Sequence, residues 1–218
     1  MNKVRKMVAP ILDFSILVMV VIASIMLIGN PAAGGLDQFK YFTVQSNLLM
    51  GTAATVSFIF EILLLTNKIQ RFPLPLRIIE LSASIGTTVT FFTVIFFHGP
   101  TRGWTYMYLG GNLFMHMLVP LLAMIRVAAF QPQGNIMKLK HTFFGIVHLG
   151  VYSVAYLVNC AIHNGYGTTQ YDWYGFGAGG FGAGILSLVI MVAVGYVFSL
   201  LFYFLQNKFC SSPEAIKE

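Results

Sequence analysis

The chain has 218 residues, of which 57% are hydrophobic and only 9% are charged. A composition this apolar excludes a soluble globular domain, because so few charged side chains cannot cover a water-exposed surface. The net charge of +6 is spread over four short segments without forming a basic stripe, so it does not indicate nucleic-acid binding.

Six apolar runs long enough to cross a bilayer follow one another along the chain. Crossing roughly 30 Å of hydrocarbon takes about 20 helical residues. Glycine- and proline-rich sequences separate the runs, for example GNPAAGG after the first and HGPTRG after the third. The sequence therefore predicts an all-α integral membrane protein, a single six-helix bundle over residues 1–218. The predicted spans are residues 8–28, 41–65, 76–97, 110–129, 142–162 and 184–205.

The first span also has features of a secretory signal peptide. It follows a basic start, and the small residues Ala32, Ala33 and Gly34 come after it. Its apolar run is longer than the usual core of a signal peptide, and this length favours a retained helix.

Lysine and arginine are unevenly distributed over the predicted loops. Cytoplasmic loops of membrane proteins retain positive charge. Only Lys40 and Arg102 fall in loops on one side of the membrane. Both termini are therefore predicted to be cytoplasmic. The remaining basic residues all fall on the side of the termini: Lys3, Arg5, Lys6, Lys68, Arg71, Arg77, Arg126, Lys138, Lys140, Lys208 and Lys217.

Three acidic residues form a layer near the predicted cytoplasmic ends of the spans: Asp13, Glu61 and Glu80. Basic residues of the termini and cytoplasmic loops lie nearby in the sequence. We expect this layer to be structural, with ion pairs to the basic residues Arg5, Lys6, Lys68, Arg71 or Arg77.

A second polar layer lies near the predicted outer ends of the spans. An unsatisfied polar group in hydrocarbon costs several kcal/mol, so polar residues within spans are functional candidates. Three of the five histidines fall at this depth. The candidate residues of the layer are Thr43, Ser46, Asn47, His98, Asn112, His116, His163 and Asp172.

Helical spacing predicts which of these side chains meet. Thr43, Ser46 and Asn47 are at positions i, i+3 and i+4, so they share one face of the second span. Asn112 and His116 are at i and i+4 in the fourth span. We expect these two faces to lie opposite each other.

Several of the candidates have a purely structural alternative. Thr43 alone would serve as a helix cap, and Asn47 alone would form an interhelical hydrogen bond. His98, next to Gly99 and Pro100, is typical of the membrane interface. His116 is different, because it should lie inside the membrane edge without a charged partner nearby in the sequence.

The residue types predict nucleophilic chemistry. A threonine hydroxyl needs a base within hydrogen-bond reach, and histidine is the usual one. Asn112 could fix the tautomer of His116, and Asn47 or Ser46 could donate to an oxyanion.

A metal site is a weaker prediction. Zinc or iron needs three or four ligands, which would have to be drawn from His98, His116, His163 and Asp172. Nothing in the spacing of these four residues places them in one coordination shell. We predict neither a metal nor a cofactor.

Three short motifs resemble the androgen-induced-gene family of six-span membrane proteins and, more closely, its bacterial relatives. They are YFTVQSNLL at residues 41–49, GNLFMHMLVPLL at residues 111–122 and YDWYGF at residues 171–176. Animal members are atypical threonine hydrolases of fatty acid esters of hydroxy fatty acids. The resemblance implies Thr43 as nucleophile, His116 as its partner, and a multi-pass protein of the bacterial plasma membrane.

The leading hypothesis is an integral-membrane lipid ester hydrolase whose substrate enters from the bilayer. The alternative is a small transporter or lipid-binding protein with an outward-facing polar pocket and no chemistry. The middle of the spans is nearly bare of charge, which favours a one-sided pocket over a conduit. A structural or assembly role is a third possibility, and the oligomeric state is left open.

Overall fold

A computed structural model describes residues 3–31, 34–132 and 137–210, and for residues 3–6 the backbone alone. This part of the chain is all-helical and has no β-strand. The predicted all-α fold with six membrane-length helices is confirmed. The six helices are α1 (Lys3–Leu27), α2 (Phe42–Leu65), α3 (Leu74–Arg102), α4 (Gly111–Ala129), α5 (Leu139–Ile162) and α6 (Phe181–Cys210).

α3 runs past its predicted end at residue 97 because its backbone changes pitch. Val94–His98 forms a π-helical turn in which the Gly99 N–H donates to the Val94 carbonyl. Pro100 has no N–H and cannot donate to the carbonyl four residues before it, a loss that normally ends or kinks a helix. The π turn contains one residue more than an α-helical turn and lies just before the proline. The helix continues beyond it to Arg102.

α3 is the central helix of the bundle. In the 18-residue apolar stretch of α3 that is long enough to cross a membrane, 67% of the residues are buried. The corresponding fraction in the other five helices is 22–33%. It packs against α2, α4, α5 and α6. Gly86 allows α2 to approach closely, since a Cβ at this position would lie 2.8 Å from the Cβ of Ser46. Small residues commonly permit such close contacts between membrane helices.

The outward faces of the helices are apolar and unpartnered. On α6, Val189, Val197 and Phe204 are each about 60% exposed. Exposed apolar side chains on every turn are what a helix presents to lipid tails. Together with the length of the helices, they indicate an integral multi-pass membrane protein.

The six helices alternate in direction, so the bundle has two distinct ends. α1 begins and α6 ends at what we call the termini end, together with residues 66–73, 130–132 and 137–138. The opposite end, which we call the loop end, carries residues 28–31, 34–41, 103–110 and 163–180.

The acidic layer has a partner that the sequence analysis did not name, while the side chains of the predicted partners Arg5 and Lys6 lie outside the described residues. Its three carboxyl groups converge on Arg126, which is fully buried in the last turns of α4. Arg126 Nη2 lies 3.0 Å from Asp13 Oδ2, 2.6 Å from Glu61 Oε1 and 3.1 Å from Glu80 Oε1. The sequence analysis did not name this partner because Arg126 was counted as a loop charge. Its side chain points into the bundle and joins α1, α2, α3 and α4.

Candidate functional site

A cavity of about 520 Å³ lies at the loop end and is lined by residues from all six helices. Apolar side chains such as Leu188 and Met191 of α6 form part of its wall. Four of the predicted site residues line it together with four tyrosines: Thr43, His98, Asn112, His116, Tyr41, Tyr106, Tyr152 and Tyr174.

Thr43 is the second residue of α2, and its side chain does not cap the helix. The N–H of Phe42, the first residue, donates instead to the Tyr174 hydroxyl at 2.8 Å. Later threonines of α2 bond to the preceding turn, as Thr52 does to the Leu48 carbonyl at 2.9 Å. Among the described residues the Thr43 hydroxyl forms no such bond, and Thr43 lines the cavity wall.

Ser46 and Asn47 are fully buried behind Thr43 and do not line the cavity. Ser46 Oγ donates to the Thr43 carbonyl at 3.1 Å. Asn47 Nδ2 donates to the same carbonyl at 2.7 Å and to the Met115 carbonyl at 3.0 Å. Their predicted role as oxyanion donors is therefore wrong, because their donors are already used. Asn47 instead ties the backbone of Thr43 to the residue before His116.

His116 lies in a second π-helical turn, Phe114–Leu118, at the start of α4. Its Nδ1 lies 2.8 Å from the Met107 carbonyl. A carbonyl only accepts, so Nδ1 carries the proton and Nε2 has a free lone pair. Of the two ring nitrogens, Nε2 is therefore the one that can act as a base.

Asn112 does not fix the tautomer of His116 as predicted. Its Nδ2 donates to the Tyr106 carbonyl at 3.3 Å. The π turn changes the residue spacing, so the expected i, i+4 relation between Asn112 and His116 does not apply. Both side chains instead reach back to the short segment 104–108, which they hold against the start of α4.

His98 occupies the last position of the π turn in α3 and lines the cavity. Its ring stacks against Tyr174, with centroids 6.2 Å apart and planes inclined by 24°. The two histidines of the cavity thus lie in π turns, each followed by a proline two residues after its end, at Pro100 and Pro120. Such turns occur frequently at functional sites.

His163 and Asp172 lie outside the cavity wall. The exposed ring of His163 stacks on Tyr171 at a centroid distance of 4.1 Å. Asp172 is buried, accepts the N–H groups of Gly167 and Gly177 at 2.9 Å each, and accepts the hydroxyl of Tyr156. These contacts indicate that Asp172 shapes the connection between α5 and α6 and does not contact a ligand.

Tyr174 is a site residue that we did not predict. Its hydroxyl meets the N-terminus of α2 directly beside Thr43. Burial raises the pKa of Tyr174 to about 12, so the phenol stays protonated at neutral pH. Tyr152 adjoins it, donating to the Lys40 carbonyl at 2.7 Å and accepting from Trp173 Nε1 at 3.1 Å. The YDWYGF motif was the available signal.

The cavity is close to neutral. Among the described residues that line it, Arg102 is the only lysine, arginine, aspartate or glutamate, and it is exposed. In residues 3–31, 34–132 and 137–210, no group of three histidine, cysteine or acidic side chains is arranged to hold a metal ion. Neutral polar groups on an apolar wall suit an amphiphilic ligand such as a lipid ester.

No family model, no curated protein and no solved structure matches this chain. The resemblance of three motifs to the androgen-induced-gene family therefore stays a prediction.

Proposed function

We propose that this protein is an integral-membrane lipid ester hydrolase in which Thr43 is the nucleophile and His116 the base. One observation carries the proposal: Thr43 and His116 line the same cavity, and the Met107 carbonyl holds the His116 ring so that Nε2 is the basic nitrogen. A weak nucleophile beside an oriented imidazole is the arrangement that acyl transfer requires.

The reaction has two steps. Thr43 Oγ attacks the ester carbonyl while His116 Nε2 takes the hydroxyl proton. The tetrahedral intermediate collapses, the C–O bond to the alcohol breaks, and His116 returns the proton to the leaving alcohol. In the second step His116 Nε2 takes a proton from water while the hydroxide attacks the acyl carbonyl, the bond from the acyl carbon to Thr43 Oγ breaks, and His116 returns the proton to Oγ as the carboxylic acid leaves.

Tyr174 is the proposed donor to the oxyanion. Its hydroxyl lies at the start of α2 next to Thr43, and its raised pKa keeps the proton in place. The N-terminus of α2 adds the positive end of a helix dipole at the same point. Donors fixed in an apolar cavity stabilise a developing negative charge more strongly than water does.

The proposed substrates are fatty acid esters of hydroxy fatty acids or similar membrane lipid esters. The apolar wall formed by Leu188, Met191 and Val89 suits acyl chains, and the polar groups suit the ester. Such substrates already partition into the bilayer, so they reach the cavity laterally. No cofactor takes part in the proposed reaction.

The proposed location is the bacterial plasma membrane, with both termini in the cytoplasm and the loop end outside. The distribution of lysine and arginine supports this orientation. The three motifs that resemble the bacterial relatives support the choice of membrane.

Replacing His116 with glutamine is expected to lower kcat/KM by about 10²–10⁴-fold, because the amide cannot accept the hydroxyl proton. The measurement is hydrolysis of fatty acid esters of hydroxy fatty acids by the purified protein in detergent. His163→Gln is the matched control, since His163 is exposed and outside the cavity. Equal losses in the two variants would remove His116 from the mechanism.

Replacing Tyr174 with phenylalanine is expected to lower kcat by about 10²-fold or more while KM changes little, as for the loss of an oxyanion donor. Tyr171→Phe is the control, because that ring packs on His163 outside the cavity. A rise in KM with unchanged kcat would show that Tyr174 only binds the substrate.

One observation favours the second candidate, a small transporter or lipid-binding protein. α3 carries buried hydroxyl residues through its middle, and the hydroxyls of Ser84, Thr88 and Thr90 have no partner among the described residues. Such groups are commonly hydrated, and a row of hydroxyl groups with bound water would line a polar path through the bundle. The test is the uptake of lipid esters into proteoliposomes. Uptake that occurs without hydrolysis, and that is the same in His116→Gln as in wild type, would favour this candidate over the hydrolase.

A further inference from the structure

The charged cluster at the termini end is a second polar centre, separate from the cavity. Arg126 lies at its centre, with a bidentate pair of bonds to Asp13 at 3.0 Å each. Glu61 and Glu80 contact the same guanidinium group. The side chains of all four residues are 0–3% exposed. No step of the proposed hydrolysis uses them.

Glu61 has one carboxyl oxygen that no donor of the described residues reaches. Its Oε1 accepts from Arg126, whereas its Oε2 is buried and has no hydrogen-bond partner among the described residues. The carboxyl groups of Glu61 and Asp13 also lie within hydrogen-bonding contact of each other. Two carboxyl groups form a hydrogen bond only if one of them carries a proton.

The charges around Glu61 do not balance without that proton. Arg77, which is buried and donates to the Pro132 carbonyl, adds a second guanidinium group near Glu80. In the part of the cluster that the structure describes, three carboxylates and two guanidinium groups leave one uncompensated negative charge in a buried site. Burying an unpaired charge is costly, and one bound proton makes the cluster neutral.

Other groups around the cluster do not remove this charge. Gln131 is neutral, and its Nε2 donates to Glu80 Oε2 at 3.3 Å. Cys210, at the end of α6, lies near Arg77 and would add only negative charge. Among the described residues, the titratable or charged groups of the cluster are Asp13, Glu61, Arg77, Glu80, Arg126 and Cys210.

We propose that this cluster is a proton-binding site, in which one proton is carried on Glu61 Oε2 and donated to the Asp13 carboxylate. The proton completes the hydrogen bonding of Glu61 Oε2, which lacks a donor among the described residues. It also holds α1 against α2 at a point where both helices meet Arg126 of α4.

Infrared spectroscopy of the full-length protein tests the assignment directly. In dodecyl maltoside, which has no carbonyl group, we expect a C=O band of a protonated carboxylic acid at pH 8 that shifts in D₂O. Glu61→Gln should lose this band, because its amide N–H₂ can donate to Asp13 without an added proton. Asp37→Asn is the control and should keep it, since the Asp37 side chain is 84% exposed.

The spectra can also contradict the proposal. A wild-type spectrum without the acid band, or a band that remains in Glu61→Gln, would overturn it, and the wild-type result stands even if the variant fails to fold. A band that disappears when sodium chloride replaces potassium chloride would show that the cluster takes a cation in place of the proton.

The bound proton also predicts that the stability of the folded state decreases as the pH rises. Glu61 is protonated in the folded state and ionised in the unfolded state at neutral pH, so the folded state binds more protons. The folded-to-unfolded ratio should then fall about tenfold per pH unit above pH 6, until the site releases its proton. Unfolding midpoints from pH 6 to 9 should fall more steeply in wild type than in Glu61→Gln. Parallel curves would contradict the proposal.

Discussion

Replacing Thr43 with alanine is expected to abolish ester hydrolysis by the purified protein, with a loss of at least about a thousandfold in kcat. The hydroxyl is the proposed nucleophile, and no other step of the reaction can replace it. The fold should be unaffected, because the Thr43 side chain does not cap α2 and the Tyr174 hydroxyl satisfies the first N–H of the helix. The measurement is the rate of acid release from fatty acid esters of hydroxy fatty acids.

Two further variants make this prediction specific. Thr43→Ser keeps a hydroxyl in the same place and should retain measurable activity. Thr52→Ala removes an exposed threonine of the same helix that bonds to the Leu48 carbonyl, and it should behave as wild type. Undiminished hydrolysis in Thr43→Ala would exclude Thr43 as the nucleophile and leave the cavity as a binding site.

Replacing Arg126 with methionine is expected to cause the largest loss of stability. Methionine fills much of the same space, but three buried carboxyl groups lose their common donor. Removing one partner of a buried ion pair typically costs about 3–5 kcal/mol, and here one residue serves three partners. The measurement is the midpoint temperature of unfolding in detergent, together with the yield of monodisperse protein.

Arg71→Met is the matched control for this change. Arg71 is exposed in the connection between α2 and α3, so its replacement should leave the midpoint within a degree or two. Equal midpoints for Arg126→Met and Arg71→Met would show that the cluster contributes nothing to the stability of the bundle.

The six helices were predictable because length and hydropathy determine them almost alone. α2 was predicted at 41–65 and is found at Phe42–Leu65. The end of α3 was not predictable from length and hydropathy, because the sequence His98-Gly99-Pro100 is typical of a helix end. A local π turn at Val94–His98 overrides that stop, and single-residue propensities do not encode the change in pitch.

The site was predictable only in part. Depth in the membrane brought Thr43, His98, Asn112 and His116 into one layer, and the structure shows all four lining one cavity. Tyr174 was missed because position in a loop does not reveal that its hydroxyl reaches α2.

The buried cluster was misread for a related physical reason. Arg126 lies near a helix end, where basic residues usually extend into water. Whether such a residue points outward or inward depends on which face of α4 meets the other helices. That information came from packing, not from the charge pattern.

Mass spectrometry of the modified residue tests the central claim most directly. Purified protein would be treated with a fluorophosphonate, digested, and searched for the adduct. The proposed mechanism predicts a single adduct on Thr43, which is absent in Thr43→Ala and strongly reduced in His116→Gln. Hydrolytic activity with the adduct on another residue, or inactivation that is unchanged in Thr43→Ala, would contradict the assignment of Thr43 as the nucleophile.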